Sequence, residues 1–356
     1  MHIDFPPDLN QRYNYSWMFD FERNFDPVPS ITWTNYYWWY SLIISALYVV
    51  FIKIGQQVMR NRPAYTLRTE LVLWNLALAV FSIIGTARYA PDFLWALHEH
   101  GYIFTICVCS FGRGVPAFWS EVFAFSKVIE LGDTAFLIAR KRPIIFLHWY
   151  HHITVMIFTW HGFKDHTAAG RVFIMMNYAV HSIMYTYYAA RAAGIRFPRW
   201  LPMSITLLQL SQMFAGIIVL ISTYYWKFIL HNECRQSWRN QHLGIVVYAS
   251  YLVLFVNYFV RTYFWRKPRQ GGAEIAADGL KFGSANAEIN MANGDTEPVQ
   301  RGCMTFRRDE PKQKTVANGI EPNGTSARSQ NGFKKRHAIS NGMPLKKQNA
   351  GIGKEE

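Results

Sequence analysis

Three blocks of this chain hold side chains that could do chemistry, and all lie in strongly apolar surroundings. His148, His151 and His152 follow one another at i, i+3 and i+4, so on a helix the three imidazoles share a face. Imidazole can serve as general acid or base, as acyl acceptor or as metal ligand. Lys127, Glu130 and Asp133 recur at intervals of three, with Thr134 completing the stripe. Such a set can tune a nearby catalytic group, or simply neutralise itself and fix helix packing. His181, Tyr185 and Tyr188 share a face with Asn177 one turn earlier, and Thr206, Gln209 and Gln212 repeat the pattern further on. For that last set, hydrogen bonding between helices explains the residues as well as function does. Ionisable groups in a membrane are costly, so several at helical spacing make a functional site the default reading.

The elements that must position these groups are helices. The 356 residues are 51% hydrophobic and 17% aromatic. Seven apolar runs are long enough to span a bilayer: roughly 33–52, 71–87, 115–139, 143–160, 172–190, 200–226 and 243–260. Basic clusters follow the first (Arg60, Arg62, Arg68), the third (Arg140, Lys141, Arg142), the fifth (Arg191, Arg196, Arg199) and the seventh (Arg261, Arg266, Lys267, Arg269). The positive-inside rule puts all four in the cytosol, which requires the charged third run to cross. The sequence therefore predicts an all-α polytopic membrane protein with seven transmembrane helices. It has a lumenal segment over 1–32, a membrane domain over 33–267 and a cytosolic tail over 268–356. The tail is rich in Gly, Asn, Ser and charge, and reads as disordered. The N-terminal segment lacks the basic and apolar regions of a cleaved signal peptide. It carries a glycosylation sequon at Asn14, which is as readily idle as used.

Rise per residue places the polar groups at one level. Glu130 and His151 lie about 14 to 15 Å from the nearest cytosolic arginines, as do His181 and Gln209. Separate structural pairs have no reason to agree in depth, whereas groups around one cavity do.

What is missing narrows the chemistry. The formal charge is +14, but the basic residues fall in short loops between apolar runs, so nucleic acid is not an expected partner. A di-iron desaturase or hydroxylase needs several histidine boxes and this chain has one, joined at depth only by His181. A single zinc on the three box histidines is disfavoured by Lys127, so no metal is expected. A retinal protein needs a lysine in its seventh span, and 243–260 has none. Cys107, Cys109 and Cys234 fall in predicted lumenal loops, where an oxidising compartment permits a bridge, most simply Cys107 with Cys234 and with Cys109 as the competing partner. With no cysteine in any span, imidazole is the leading nucleophile for an acyl intermediate.

The chain resembles the fatty-acyl-CoA elongases over roughly residues 30–267. The resemblance rests on Lys127 to Thr134, on His148-Trp149-Tyr150-His151-His152, on Asn177 to Tyr185 and on Thr206 to Met213, in that order. Leu71-Val72-Leu73-Trp74, Ala79 to Ile83, Ile145 to Val155 and Tyr187 to Gly194 are similar to the subfamily that elongates palmitoyl-type saturated and monounsaturated chains. The chain departs from the many members that end in a dilysine signal, since it ends Gly353-Lys354-Glu355-Glu356.

The resemblance implies a 3-oxoacyl-CoA synthase of the endoplasmic reticulum membrane. Such an enzyme condenses a long acyl-CoA with malonyl-CoA and releases CO2 and CoA, with no bound cofactor. It implies the ketoacyl-CoA reductase, hydroxyacyl-CoA dehydratase and enoyl-CoA reductase of the elongation cycle as partners, beside membrane lipids. In that reading His151 is the acyl acceptor and His181 its partner, while His148 and His152 orient or act as bases. Lys127 holds the malonyl carboxylate or the enolate, tuned by Glu130 and Asp133. The CoA phosphates meet Arg140, Lys141, Arg142, Arg266 and Lys267. Acyl-imidazole and direct condensation both remain open. The expected tunnel is closed toward the lumen, with Trp160 and Tyr224-Tyr225-Trp226 as candidate stops. A non-catalytic lipid or acyl-CoA carrier is the alternative reading; loss of turnover on substituting His151 separates the two.

Overall fold

A computed structural model describes residues 13–265. The expected disorder of the tail, Cys303, Arg266 and Lys267 lie outside the described residues. Within them the chain is helical and contains no strand. The elements are α1 (Asp20–Arg23), α2 (Val28–Tyr37), α3 (Tyr40–Met59), α4 (Arg68–Glu99), α5 (Gly101–Cys107), α6 (Gly114–Ile129), α7 (Gly132–Ala139), α8 (Phe146–Asp165), α9 (Gly170–Ala192), α10 (Trp200–Tyr224), which runs into a π-helical turn (Tyr225–Ile229), and α11 (Trp238–Tyr263). With α2–α3 and α6–α7 each taken as one interrupted rod, these make seven long segments.

Four stretches are long and apolar enough to cross a bilayer: Tyr40–Met59, Arg68–Glu99, Trp200–Ile229 and Trp238–Tyr263. Their outer faces are apolar, with Leu47, Ile54, Leu73, Ile83, Phe214, Ile221, Val246 and Val253 among the exposed residues. Rows of exposed aliphatic side chains on this scale are what lipid, not water, accommodates. The chain is thus a multi-pass membrane protein. The remaining long segments, α6–α7, α8 and α9, carry Lys127, Asp133, the histidine box and His181.

The span expected over 71–87 is part of a longer helix. At 1.5 Å per residue, the 32 residues of α4 reach about 48 Å, beyond a hydrocarbon core of about 30 Å. Helix α4 packs along α9, and the contact is close because of Gly85: a Cβ there would stand 2.4 Å from the Tyr178 ring. Small residues let membrane helices approach in this way.

The two ends of the bundle differ in chemistry. At one end the backbone amide of Tyr65 donates to Ala139, Lys141 donates to the Arg60 carbonyl at 3.1 Å, and Arg68 donates to the Ala192 carbonyl at 3.1 Å. The basic clusters after the first, third and fifth segments thus meet at one end. At the other end Cys107 and Cys234 are joined by a disulfide. Beside it the Arg235 amide donates to the Cys107 carbonyl, and the Ala168 amide donates to the Arg235 carbonyl. The disulfide therefore ties α5 to the α10–α11 loop, and the Ala168 hydrogen bond adds the α8–α9 turn. Cys109 is buried and unbridged.

Two titratable groups outside the long apolar helices are held away from their ordinary values at the disulfide end. Glu22 is fully covered; burial raises its carboxyl, but hydrogen bonds from Arg88, from the Trp119 indole and from the Phe19 amide outweigh burial and hold it below the usual carboxylate range. His166 sits in the α8–α9 turn with φ 50°, and burial pushes its imidazole down to about 4. Asn14 is exposed on the segment leading to α1, at the rim of an open cleft that also includes Arg23 and Asp26.

Candidate active site

A cavity of about 100 Å³ opens between α4, α6–α7, α8, α9, α10 and α11. Eleven of the residues expected at the site line it: Glu130, Asp133, His148, His151, His152, Asn177, His181, Tyr185, Tyr188, Gln209 and Gln212. Helical periodicity brings them there, since each set occupies the inward stripe of its own helix.

The stripe from Lys127 to Thr134 does not lie on one continuous helix, contrary to its sequence spacing. Helix α6 ends at Ile129 and α7 begins at Gly132. Between them the amides of Leu131, Asp133 and Thr134 donate to carbonyls three residues back, a tight 3₁₀-like step. The cause is tertiary. The Trp74 indole of α4 wedges against Gly132, where a Cβ would stand 2.6 Å from the ring. From that position its N–H donates to Asp133 Oδ1 at 2.6 Å, and the Tyr185 hydroxyl donates to Oδ2 at 2.8 Å.

Lys127 does not line the cavity, so it is not placed to hold a substrate carboxylate directly. It is 1% exposed and lies behind Glu130 and Asn177. Its Nζ donates to Glu130 Oε1 at 2.7 Å and to Asn177 Oδ1 at 2.8 Å, and sits 4.2 Å from the centre of the Phe123 ring. Asn177 Nδ2 lies 3.1 Å from His181 Nε2, and His181 Nδ1 lies 3.9 Å from Glu130. A buried pair of opposite charges thus orients an amide, and the amide orients an imidazole.

The box histidines have distinct surroundings. His148 Nε2 is 2.8 Å from Thr134 Oγ1. His152 is buried and its Nδ1 has no hydrogen-bond partner. His151 is half-buried, with its ring 5.0 Å from that of Tyr251 and 5.8 Å from that of His152, centre to centre. The Tyr251 hydroxyl donates to the His151 carbonyl at 3.3 Å and bonds Thr154 at 2.7 Å. Among the described residues no His, Cys, Asp and Glu are grouped to hold a metal ion.

The residues expected at the cytosolic mouth separate from the cavity. Arg140, Lys141 and Arg142 sit at the end of α7 and do not line it. Thr206 bonds the Pro202 carbonyl and the Tyr263 hydroxyl, and lines a small neighbouring cavity with Tyr187, Tyr258 and Tyr263. That cavity shares Tyr188 and Gln209 with the larger one. On the opposite side, a third cavity of about 60 Å³ is lined by Phe123, Phe158, Phe163, Phe173 and Ile174. The expected stops lie elsewhere. Trp160 is buried and donates to the Ala124 carbonyl, while Tyr225 is 54% exposed at the start of the π-helical turn.

Sequence reasoning missed Asn75 and Phe255 in the wall, and Tyr48, Trp74 and Tyr251 behind it. Asn75 left a signal as the sole amide of an apolar run; a tyrosine among many aromatic residues leaves none.

Comparison with known proteins places the site-bearing helices inside one matched family region. The family model described as "ELO: GNS1/SUR4 family" matches residues 33–271. The chain is 41% identical over 324 residues to "Putative fatty acid elongase 3" of Caenorhabditis elegans, covering 90% of this chain and 95% of that one. It is 45% identical to "Putative fatty acid elongase 4" of the same organism, covering 72% and 88%. It is 42% identical to the human "Very long chain fatty acid elongase 6", covering 72% of this chain and 96% of the other.

Proposed function

The chain belongs to the GNS1/SUR4 (ELO) family of fatty acid elongases, and from that premise we propose that the cavity around His151 and His181 carries out the condensation itself. A long acyl-CoA and malonyl-CoA react to give a 3-oxoacyl-CoA two carbons longer, CO2 and CoA. The carboxylate carbon of malonyl-CoA leaves as CO2, and its bonding pair remains as an enolate. The enolate carbon then bonds the acyl carbonyl, and that carbonyl is released from the group that carried it. The observation that carries the reading is the convergence of two differently supported imidazoles on one buried cavity, His181 tied through Asn177 to Lys127 and His151 packed on Tyr251.

His151 takes the acyl group from CoA as an acyl-imidazole, and His181 faces it as the oriented partner. The Lys127–Glu130 pair acts at one remove, by fixing Asn177. No metal takes part. What supports a metal-free site is the Lys127 cation paired with Glu130, and the engagement of His148 Nε2 by Thr134 and of Asp133 by Trp74 and Tyr185.

All seven long segments cross the bilayer of the endoplasmic reticulum, with the arginine-rich end in the cytosol and the disulfide end in the lumen. The gathering of three basic clusters at one end supports this orientation. The CoA moiety enters past the tyrosine-lined cavity, and its phosphates meet Arg140, Lys141, Arg142, Arg266 and Lys267. The acyl tail points the other way, toward the phenylalanine-lined cavity. Phe158 lies seven residues beyond His151, or about 10 Å along α8. A palmitoyl-type tail fits this path better than a much longer one. The 3-oxo product passes to the reductase, dehydratase and enoyl reductase of the cycle.

The test is purified full-length protein with labelled malonyl-CoA and a saturated acyl-CoA series. Formation of 3-oxoacyl-CoA that is abolished in His151→Ala is expected. Full turnover in that variant, or labelling of a cysteine when acyl-CoA is added alone, overturns the assignment.

A further inference from the structure

Helix α3 contributes no residue to the cavity wall, yet one of its side chains reaches the histidine box. Tyr48 is 4% exposed, and its hydroxyl lies 2.5 Å from Thr134 Oγ1. The same Thr134 oxygen lies 2.8 Å from His148 Nε2. Thr134 is itself fully buried. A peripheral helix is thereby linked to a cavity-lining imidazole through two hydroxyls in series.

The direction of the protons in this series follows from counting donors and acceptors. A hydroxyl has one proton to give, and burying it without an acceptor is costly. Among the described residues Thr134 is the hydrogen-bond partner of the Tyr48 hydroxyl, so the tyrosine proton points to Thr134. Thr134 accepts that bond and spends its own proton on His148 Nε2. The reverse direction, from His148 Nε2–H through Thr134 to Tyr48, would leave the tyrosine proton with nowhere to go.

We propose that the Tyr48–Thr134 relay is a positioning device that holds His148 in one tautomer, with Nε2 as acceptor and the proton on Nδ1. The assignment rests on the condensation site described above and divides labour within it. The Nε2 lone pair of His148 is already taken, so His148 offers the reaction an N–H and not a base. With His151 carrying the acyl group, the task of accepting a proton then falls to His181. Tyr48 and Thr134 touch no substrate, and act only through His148.

The experiment uses full-length protein in lipid nanodiscs, with Tyr48→Phe, Thr134→Val and Thr134→Ser. Tyr48→Phe keeps the ring and its packing and removes only the hydroxyl. It should lower kcat at least about tenfold while both KM values stay within about twofold, because a catalytic histidine in the wrong tautomer loses rate, not affinity. Thr134→Val should lose as much, and the double variant no more than the larger single loss, since the hydroxyls act in series. Thr134→Ser should recover most of the rate lost in Thr134→Val. Histidine ¹⁵N spectra, with the His148 signals identified by their disappearance in His148→Gln, should show an unprotonated Nε2 and a protonated Nδ1 in the wild type, and a mixture in Tyr48→Phe. An unchanged kcat and tautomer in Tyr48→Phe overturns the proposal, as does a wild-type His148 protonated on Nε2. A lower melting temperature with kcat intact makes Tyr48 a packing residue only, and equally overturns it. The condensation site fails by a different result, full turnover in His151→Ala, in which case the ¹⁵N spectra still decide the relay.

Discussion

Trp74 and Asp133 meet across a glycine: the indole of α4 lies where a side chain on Gly132 would be, and its N–H closes on the Asp133 carboxylate at 2.6 Å. This contact sits at the interruption of the third segment and aims the carboxylate. Replacing Trp74 by Phe keeps an aromatic ring on α4 but deletes the donor and the outer ring atoms that reach Gly132. The expected cost is about 1–3 kcal/mol for the unpaired acceptor, seen as a lower melting temperature in detergent, together with reduced turnover. Gly132→Ala should be worse on both counts, because the ring must leave.

Asn177→Ala separates the Lys127–Glu130 pair from His181. Turnover should fall by roughly 10²- to 10⁴-fold, the range for losing an oriented acid–base group, with the fold retained by size-exclusion chromatography. His181→Ala should fall in the same range, and combining the two should add little. Activity near wild type in Asn177→Ala would show that the chain from Lys127 to His181 is structural only.

The pH response at the disulfide end has a defined sign. His166 is held down near 4, so the folded state keeps it neutral while an unfolded chain takes up a proton below about 6.5. Its contribution is complete above pH 6.5 and lost as pH falls toward 4. Glu22 acts lower. Its folded value is depressed, so its contribution is present above the ordinary carboxylate range and lost as pH falls through the folded value. Melting temperature should therefore decline below pH 6.5. His166→Asn, which tolerates the left-handed backbone at φ 50°, should flatten the upper part of that decline.

Reduction of the Cys107–Cys234 bond, or Cys107→Ser with Cys234→Ser, should lower thermal stability by about 2–5 kcal/mol and leave turnover measurable at low temperature. The bridge is remote from the cavity wall, so a loss of turnover without a loss of stability would contradict that placement.

Phe158→Ala or Phe173→Ala should move the preferred acyl chain toward greater length, by about two carbons. An overrunning tail otherwise costs about 1–3 kcal/mol in displaced side chains. Tyr225→Ala, at an exposed position, should leave the preference where it is. The measurement is turnover across a saturated acyl-CoA series.

Much of the site was legible because helical spacing and charge placement are local properties. The box at His148, His151 and His152 needs only a helix to share a face, and α8 supplies it. The break after Ile129 was not legible, because it depends on Trp74 from another helix. The arginines after α7 mark a side of the bundle, which charge reveals, but charge says nothing about how far they stand from the cavity wall. Tyr225 looked like a stop because it is a bulky residue at the end of an apolar run. The buried stripe of α10 runs through Gly216, Leu220 and Thr223, and Tyr225, two residues on, falls on the far side, so its ring faces outward. Tyr48 and Tyr251 act through hydroxyls that reach other helices, and no pattern within their own helices distinguishes them from packing residues.

The division of composition between the helices has a consequence for biogenesis. One of the segments that make the cavity is a poor candidate for entering lipid unaided: α6–α7 brings Glu121, Lys127, Glu130 and Asp133, and a charge such as Lys or Asp costs about 2.5–3.5 kcal/mol at mid-bilayer on the insertion scale. Helices α3 and α4 emerge from the ribosome first and are apolar enough to be stably inserted before α6 arrives. Trp74 on α4 and Tyr48 on α3 are then already in place to receive Asp133 and Thr134. The same contacts that arrange the finished site would thus act earlier as a docking template, making the order of synthesis part of how the protein is assembled.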